Sequence, residues 1–139
     1  MRNFLIICLV ILGITSQAQI REDITFTSDT LTNAETIYFT SSGTTDDVKK
    51  NSTYAWQVKA DSLTGTQTSV IAFLQHSVLD DQWVTISTAD TLINSGNTAS
   101  GTAIFTGTST PAVAYRVGVV QVGTATTRVT SRAYFKKPE

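Results

Sequence analysis

Thr53-Tyr54-Ala55-Trp56-Gln57-Val58-Lys59-Ala60-Asp61 alternates with a period of two. Tyr54, Trp56, Val58 and Ala60 share one face, while Gln57, Lys59 and Asp61 share the other. Successive side chains of an extended chain point to opposite sides, so this spacing predicts a strand with one buried and one solvated face. Beyond residue 18, no window repeats apolar residues at helical spacing over three turns.

The same reading extends in both directions. Asp23–Thr27 and Glu35–Ser41 read as strands on either side of a turn, Ser28–Asn33, and a polar loop follows at Ser42–Ser52. Ser69–Gln75 is nearly all apolar and predicts a central strand covered on both sides. Gln82–Ser87, Thr102–Thr106, Ala114–Val122 and Thr127–Lys136 complete the set, with Gly123-Thr124-Ala125-Thr126 joining the last two as a hairpin. Threonine occurs 25 times in 139 residues, and β-branched side chains suit a pleated, half-buried surface. Five glycines (Gly43, Gly65, Gly101, Gly107 and Gly123) precede threonine, and each pair reads as a turn feeding a strand. Seven or eight short strands at this spacing imply an all-β, two-sheet antiparallel β-sandwich, immunoglobulin-like or jelly-roll-like, with a closed barrel as the alternative. Its expected core is Trp56, Val58, Val70, Phe73, Ile86, Phe105, Tyr115, Val117 and Val129.

The N-terminus carries a different signal. Arg2 precedes an apolar run from Phe4 to Ile14, followed by small residues at Ser16 and Ala18. This is the pattern of a secretory signal peptide over residues 1–18, with the sandwich domain occupying 19–139. The run is shorter than the roughly 20 residues a spanning helix needs, so no membrane span is expected after cleavage. Cys8, the sole cysteine, lies inside that run, and an exported product would hold no disulfide.

Charge divides between the two halves. Residues 19–90 carry ten acids and four bases, whereas residues 91–139 carry Glu139 against Arg116, Arg128, Arg132, Lys136 and Lys137. Opposite signs suit two halves lying side by side in one fold. Five spread bases without an aromatic stacking cluster do not make a nucleic-acid footprint.

Groups for catalysis are few. His76 is the single histidine and sits at a predicted strand end, where such a residue is ordinarily structural or interfacial. No Gly-x-Ser-x-Gly segment supplies a nucleophile on a sharp turn. With no second histidine and no cysteine after residue 18, zinc binding and thiol catalysis are not expected. Asp46-Asp47 and Asp80-Asp81 are adjacent pairs whose members point opposite ways on an extended chain, so neither doublet forms an acid–base dyad alone. Neither belongs to an Asp-x-Asp-x-Asp calcium ladder. No enzyme activity and no cofactor are therefore expected. Trp56, Trp83, Tyr54 and Tyr115 are candidates for a sugar-stacking platform, although tryptophan in a small sandwich is more often core. Asn51-Ser52-Thr53 matches the N-glycosylation pattern.

From residue 53 to 136 the chain resembles small β-sandwich modules of bacteriophage virion proteins, such as capsid-decorating and fibre proteins. The matching residues are Trp56-Gln57-Val58, Gly65-Thr66-Gln67-Thr68-Ser69-Val70, Leu74-Gln75-His76-Ser77 and Asp80-Asp81-Gln82-Trp83-Val84-Thr85-Ile86. Tyr115-Arg116-Val117-Gly118-Val119 and Gly123-Thr124-Ala125-Thr126-Thr127-Arg128-Val129 close the match. The resemblance implies a hairpin ending in the Trp83 strand and a last hairpin at the Gly-Thr turn. It also implies a non-enzymatic structural or adhesion module of a virion or cell-exterior assembly, homo-oligomers being one form of it. The same strand–turn–Trp pattern occurs in carbohydrate-binding sandwiches, so a secreted module for a glycan or surface polymer is the alternative.

Overall fold

The computed structural model describes residues 21–41, 53–65, 67–77, 82–93, 100–108, 112 and 114–136. The expected signal peptide, the loop Ser42–Ser52 with Asp46, Asp47 and Asn51, and the Asp80-Asp81 pair lie outside the described residues. Ten strands run in order: β1 (Arg21–Thr25), β2 (Asp29–Thr32), β3 (Thr36–Ser41), β4 (Thr53–Thr64), β5 (Gln67–Ser77), β6 (Trp83–Thr85), β7 (Asp90–Ile93), β8 (Gly101–Thr108), β9 (Ala114–Gly123) and β10 (Thr126–Lys136).

They form two open, antiparallel, five-stranded sheets, the β-sandwich expected from the alternation rather than a closed barrel. In the first sheet the order is β1-β10-β4-β8, with β2 also on β10; in the second it is β3-β9-β5-β6, with β7 also on β5. β1 and β2 lie in succession along β10, from Arg21 opposite Lys136 to Thr32 opposite Thr126. β10 and β4 form the backbone of the first sheet over Thr126–Lys136 and Thr53–Thr64.

Ten strands replace the expected seven or eight because two short edge strands were hidden. Ser28–Asn33 reads as a turn from its polar composition, yet Asp29–Thr32 pairs with β10 and buries Leu31 completely. Asp90–Ile93 pairs with β5 and buries Leu92 and Ile93. The β5–β6 hairpin forms as expected, with Ser77 opposite Trp83 and Gln75 opposite Thr85. The β9–β10 hairpin does not. β9 pairs with β3 and β5, and β10 pairs with β1, β2 and β4, so Gly123–Thr126 crosses from one sheet to the other. The Gly65 turn makes the same crossing between β4 and β5. Gly107 is not a turn residue; it lies within β8 under the Tyr54 ring, and a Cβ there would come 2.6 Å from the phenol oxygen.

The core fills the space between the sheets. Trp56, Val58, Ala60, Val129, Ala133 and Phe135 enter from the first sheet, and Val70, Ala72, Leu74, Tyr115, Val117 and Val119 from the second. Phe26, between β1 and β2, stacks on Trp56 at 5.4 Å, and Phe135 meets Trp56 edge-on. Burial of such side chains, at roughly 1.5–3 kcal/mol each, is the main force holding the layers together. Two expected core residues lie elsewhere. Ile86 follows β6 and is 38% exposed, its backbone N–H bonded to Leu74 O at the sheet margin. Phe73 is half-buried on the outer side of β5, because Val70, Ala72 and Leu74 take the inward positions. β5 is thus fully covered on one side only.

Candidate functional site

The outward faces of the two sheets differ in chemistry. On the first, the register places Gln57, Lys59 and Asp61 beside Arg128, Thr130 and Arg132. Three cations share two carboxylates on this face: Lys59 and Arg128 approach Asp61 at 2.9 and 3.7 Å, and Arg132 pairs with Asp23. The Arg132 guanidinium holds the Asp23 carboxyl below its ordinary range. Where the edge breaks between β1 and β2, a shallow depression of about 450 Å³ opens beside Thr25, Phe26, Gln57, Lys59 and Thr130.

The outward face of the second sheet is apolar and aromatic. Ile71 and Phe73 on β5 alternate with the core residues of that strand. Val120 and Val122 continue the row on β9, Val122 being 45% exposed, and Tyr38 on β3 is 47% exposed. Gly118, on β9, lies opposite both Tyr38 and Phe73. It has no side chain because the rings occupy that space: a Cβ would come 2.4 Å from Phe73 Cζ and 2.9 Å from Tyr38 Cε1. The two rings meet edge to face at 6.4 Å above it.

Next along β9 is Arg116. Its guanidinium carbon lies 3.9 Å from the Tyr38 ring centre and 4.0 Å from that of Trp83, contributed by β3 and β6. Both distances lie within the range of cation–π attraction. Its Nε donates to Gln75 Oε1 at 2.8 Å, and Gln75 Nε2 donates to Thr85 Oγ1 at 3.1 Å. A ring, a guanidinium, an amide, a hydroxyl and a second ring therefore cross four strands in one band. Arg116 ion-pairs with none of the described carboxylates.

The stacking platform expected from the sequence is not assembled. Trp56 and Tyr115 are fully buried, and Tyr54 packs against Tyr115 at 5.7 Å. Burial and the neighbouring Tyr115 raise the Tyr54 phenol above its ordinary value. Of the four, Trp83 alone lies on the outward face of the second sheet, where it is half-buried with Arg116 and, beyond it, Tyr38 as partners. Tyr38 was not among the candidates, since its role depends on β3 lying beside β9. His76, one residue before the end of β5, has its ring edge-on to Tyr115 at 6.2 Å. Among the described residues no three His, Cys, Asp or Glu side chains converge on a common point, and no helix is long and apolar enough to cross a membrane.

No protein-family model matches the chain, and no curated protein does. Its fold is similar to part of an infectious bursal disease virus structure of the Gx strain, with a TM-score of 0.57 and 10% identity over 88% of this chain and 33% of that one. The infectious bursal disease virus VP2 subviral particle gives a TM-score of 0.52, 11% identity and the same coverage. The chain thus spans about a third of the length of these viral chains. A pilus protein of Bacillus endospore appendages gives 0.49 at 12% identity over 87% and 89% of the two chains, and carries no argument at that score. At these identities the likeness is one of fold alone.

Proposed function

We propose that the chain is a non-enzymatic structural or adhesion module of a virion or other cell-exterior assembly, working through surface contact. The observation that carries this reading is the apolar and aromatic outward face of the second sheet, where Tyr38, Ile71, Phe73, Val120 and Val122 lie together, set against the charged centre of the first sheet's outward face. Monomeric proteins rarely expose contiguous apolar patches larger than a few hundred Å² without a binding role. The bacteriophage-type resemblance over residues 53–136, the secretory pattern of residues 1–18 and the VP2-like fold support it.

The test is a charge placed in that face. Val122→Lys in the full chain should leave the circular dichroism spectrum unchanged and remove the protein from purified extracellular particles, as read by mass spectrometry. Undiminished incorporation of the variant, or absence of the wild-type chain from every such particle, counts against the reading.

A secreted glycan- or surface-polymer-binding module is the second reading, and half-buried Trp83 on the outward face with polar Gln75 and Thr85 favours it. Trp83→Ala should then abolish retention on a glycan array without unfolding the domain.

A further inference from the structure

We infer that Arg116 is a receptor for a carboxylate carried on an acidic polysaccharide. This inference rests on reading the chain as a surface-binding module and names the chemistry that its outer face would select.

The first observation is an imbalance of charge. Lys59, Arg128 and Arg132 each have a carboxylate partner, whereas half-buried Arg116 has none among the described residues. Taking a cation partly out of water without a counter-ion is unfavourable, and an incoming anion removes that deficit. The second observation is rigidity. Tyr38 and Trp83 hold the guanidinium carbon at 3.9 and 4.0 Å, and Gln75 Oε1 occupies the Nε–H. With Nε engaged, the edge bearing the two Nη atoms is the free fork, the arrangement that accepts both oxygens of one carboxylate. A side chain already fixed loses little entropy on binding.

The third observation selects the carrier. Gln75 and Thr85 extend the band with amide and hydroxyl groups suited to sugar hydroxyls. The rings of Tyr38 and Trp83 pack on the guanidinium and offer apolar surface beside it to the C–H groups of a pyranose chair. A uronic acid unit combines all three requirements: a carboxylate, a ring and vicinal hydroxyls. A glutamate side chain supplies only the first.

Isothermal titration of the full chain with polygalacturonate, its fully methyl-esterified form and poly-glutamate tests this. Binding of polygalacturonate should exceed that of the ester at least tenfold and should weaken as salt rises from 50 to 500 mM, with poly-glutamate no stronger than the ester. Arg116→Gln should abolish the preference. Arg116→Lys should lose at least fivefold, because it keeps the charge but not the fork. Unchanged melting curves would show that both variants remain folded. Equal binding of acid and ester that survives Arg116→Gln overturns the carboxylate receptor while leaving the surface-binding reading intact. Absence of binding to any polymer overturns the receptor, and equal binding of poly-glutamate overturns the sugar assignment.

Discussion

Trp56 donates its indole N–H to the hydroxyl of Ser131 at 2.7 Å, inside the core and across 75 residues of sequence. Trp56 is fully buried and Ser131 nearly so. Removing the acceptor leaves a buried donor unpaired, at a cost of about 1–3 kcal/mol. Ser131→Ala should therefore lower the unfolding free energy by that amount, read as a lower urea midpoint at an unchanged m-value. Trp56→Phe in the same background should cost less than in the wild type, because no donor remains to be orphaned.

Gln121 is fully buried, and its amide closes a second network. Nε2 donates to Asn33 O at 3.1 Å and to Ala125 O, and the Thr127 hydroxyl donates to Oε1. These bonds tie the left-handed Asn33 (φ 61°) to the crossing between β9 and β10. Gln121→Met keeps the volume but removes the donor to the buried Ala125 carbonyl and the acceptor of the Thr127 hydroxyl, so a loss of about 1–3 kcal/mol is expected in chemical denaturation.

Gly118→Ala should displace the rings that cover it. Overpacking of this kind typically costs about 1–3 kcal/mol. In a Phe73→Ala background most of that penalty should disappear, since Phe73 Cζ is the nearest obstacle at 2.4 Å. A double-mutant cycle by thermal denaturation reads the coupling; additive effects would show that the two positions do not share the space.

Alkaline stability should depend on Tyr54. Burial raises its phenol above 10.0 in the folded state, so the folded chain holds this proton more tightly than the unfolded chain. The contribution is complete below about pH 10 and is lost as pH rises through 10 towards the folded value. Tyr54→Phe should flatten the fall in melting temperature above pH 10, and tyrosine absorbance titration should lose its highest-pH component.

The alternation of β4, the apolar run of β5 and the pairing of β5 with the Trp83 strand were legible because each depends on nearby residues. β2 and β7 were not, since four-residue edges such as Asp29–Thr32 bury a single leucine and otherwise look like turns. A short Gly-Thr connection also reads alike whether it closes a hairpin or crosses between sheets; buried Gln121 and Ala125 decide that, and their burial exists only in the packed state. The Arg116 band was hidden for the same reason. Tyr38, Gln75, Trp83 and Arg116 come together through the order β3-β9-β5-β6, which no local pattern encodes. Trp83 alone was visible as a candidate, by its residue type and its place after an Asp-containing turn.

The pairing of β1 and β2 with β10 places a timing constraint on the chain as it is made. Residues 21–32 find their ladder partners only at 126–136, and β4 likewise has β10 on one side. Until that C-terminal strand is available, the first sheet keeps β4 and β8 as a lone pair, and two-stranded ribbons are marginal in water. Contacts of such long sequence separation slow folding. The strands of the second sheet are all available once residue 123 has been made, whereas the first sheet, and with it the closed sandwich, must wait for residue 136.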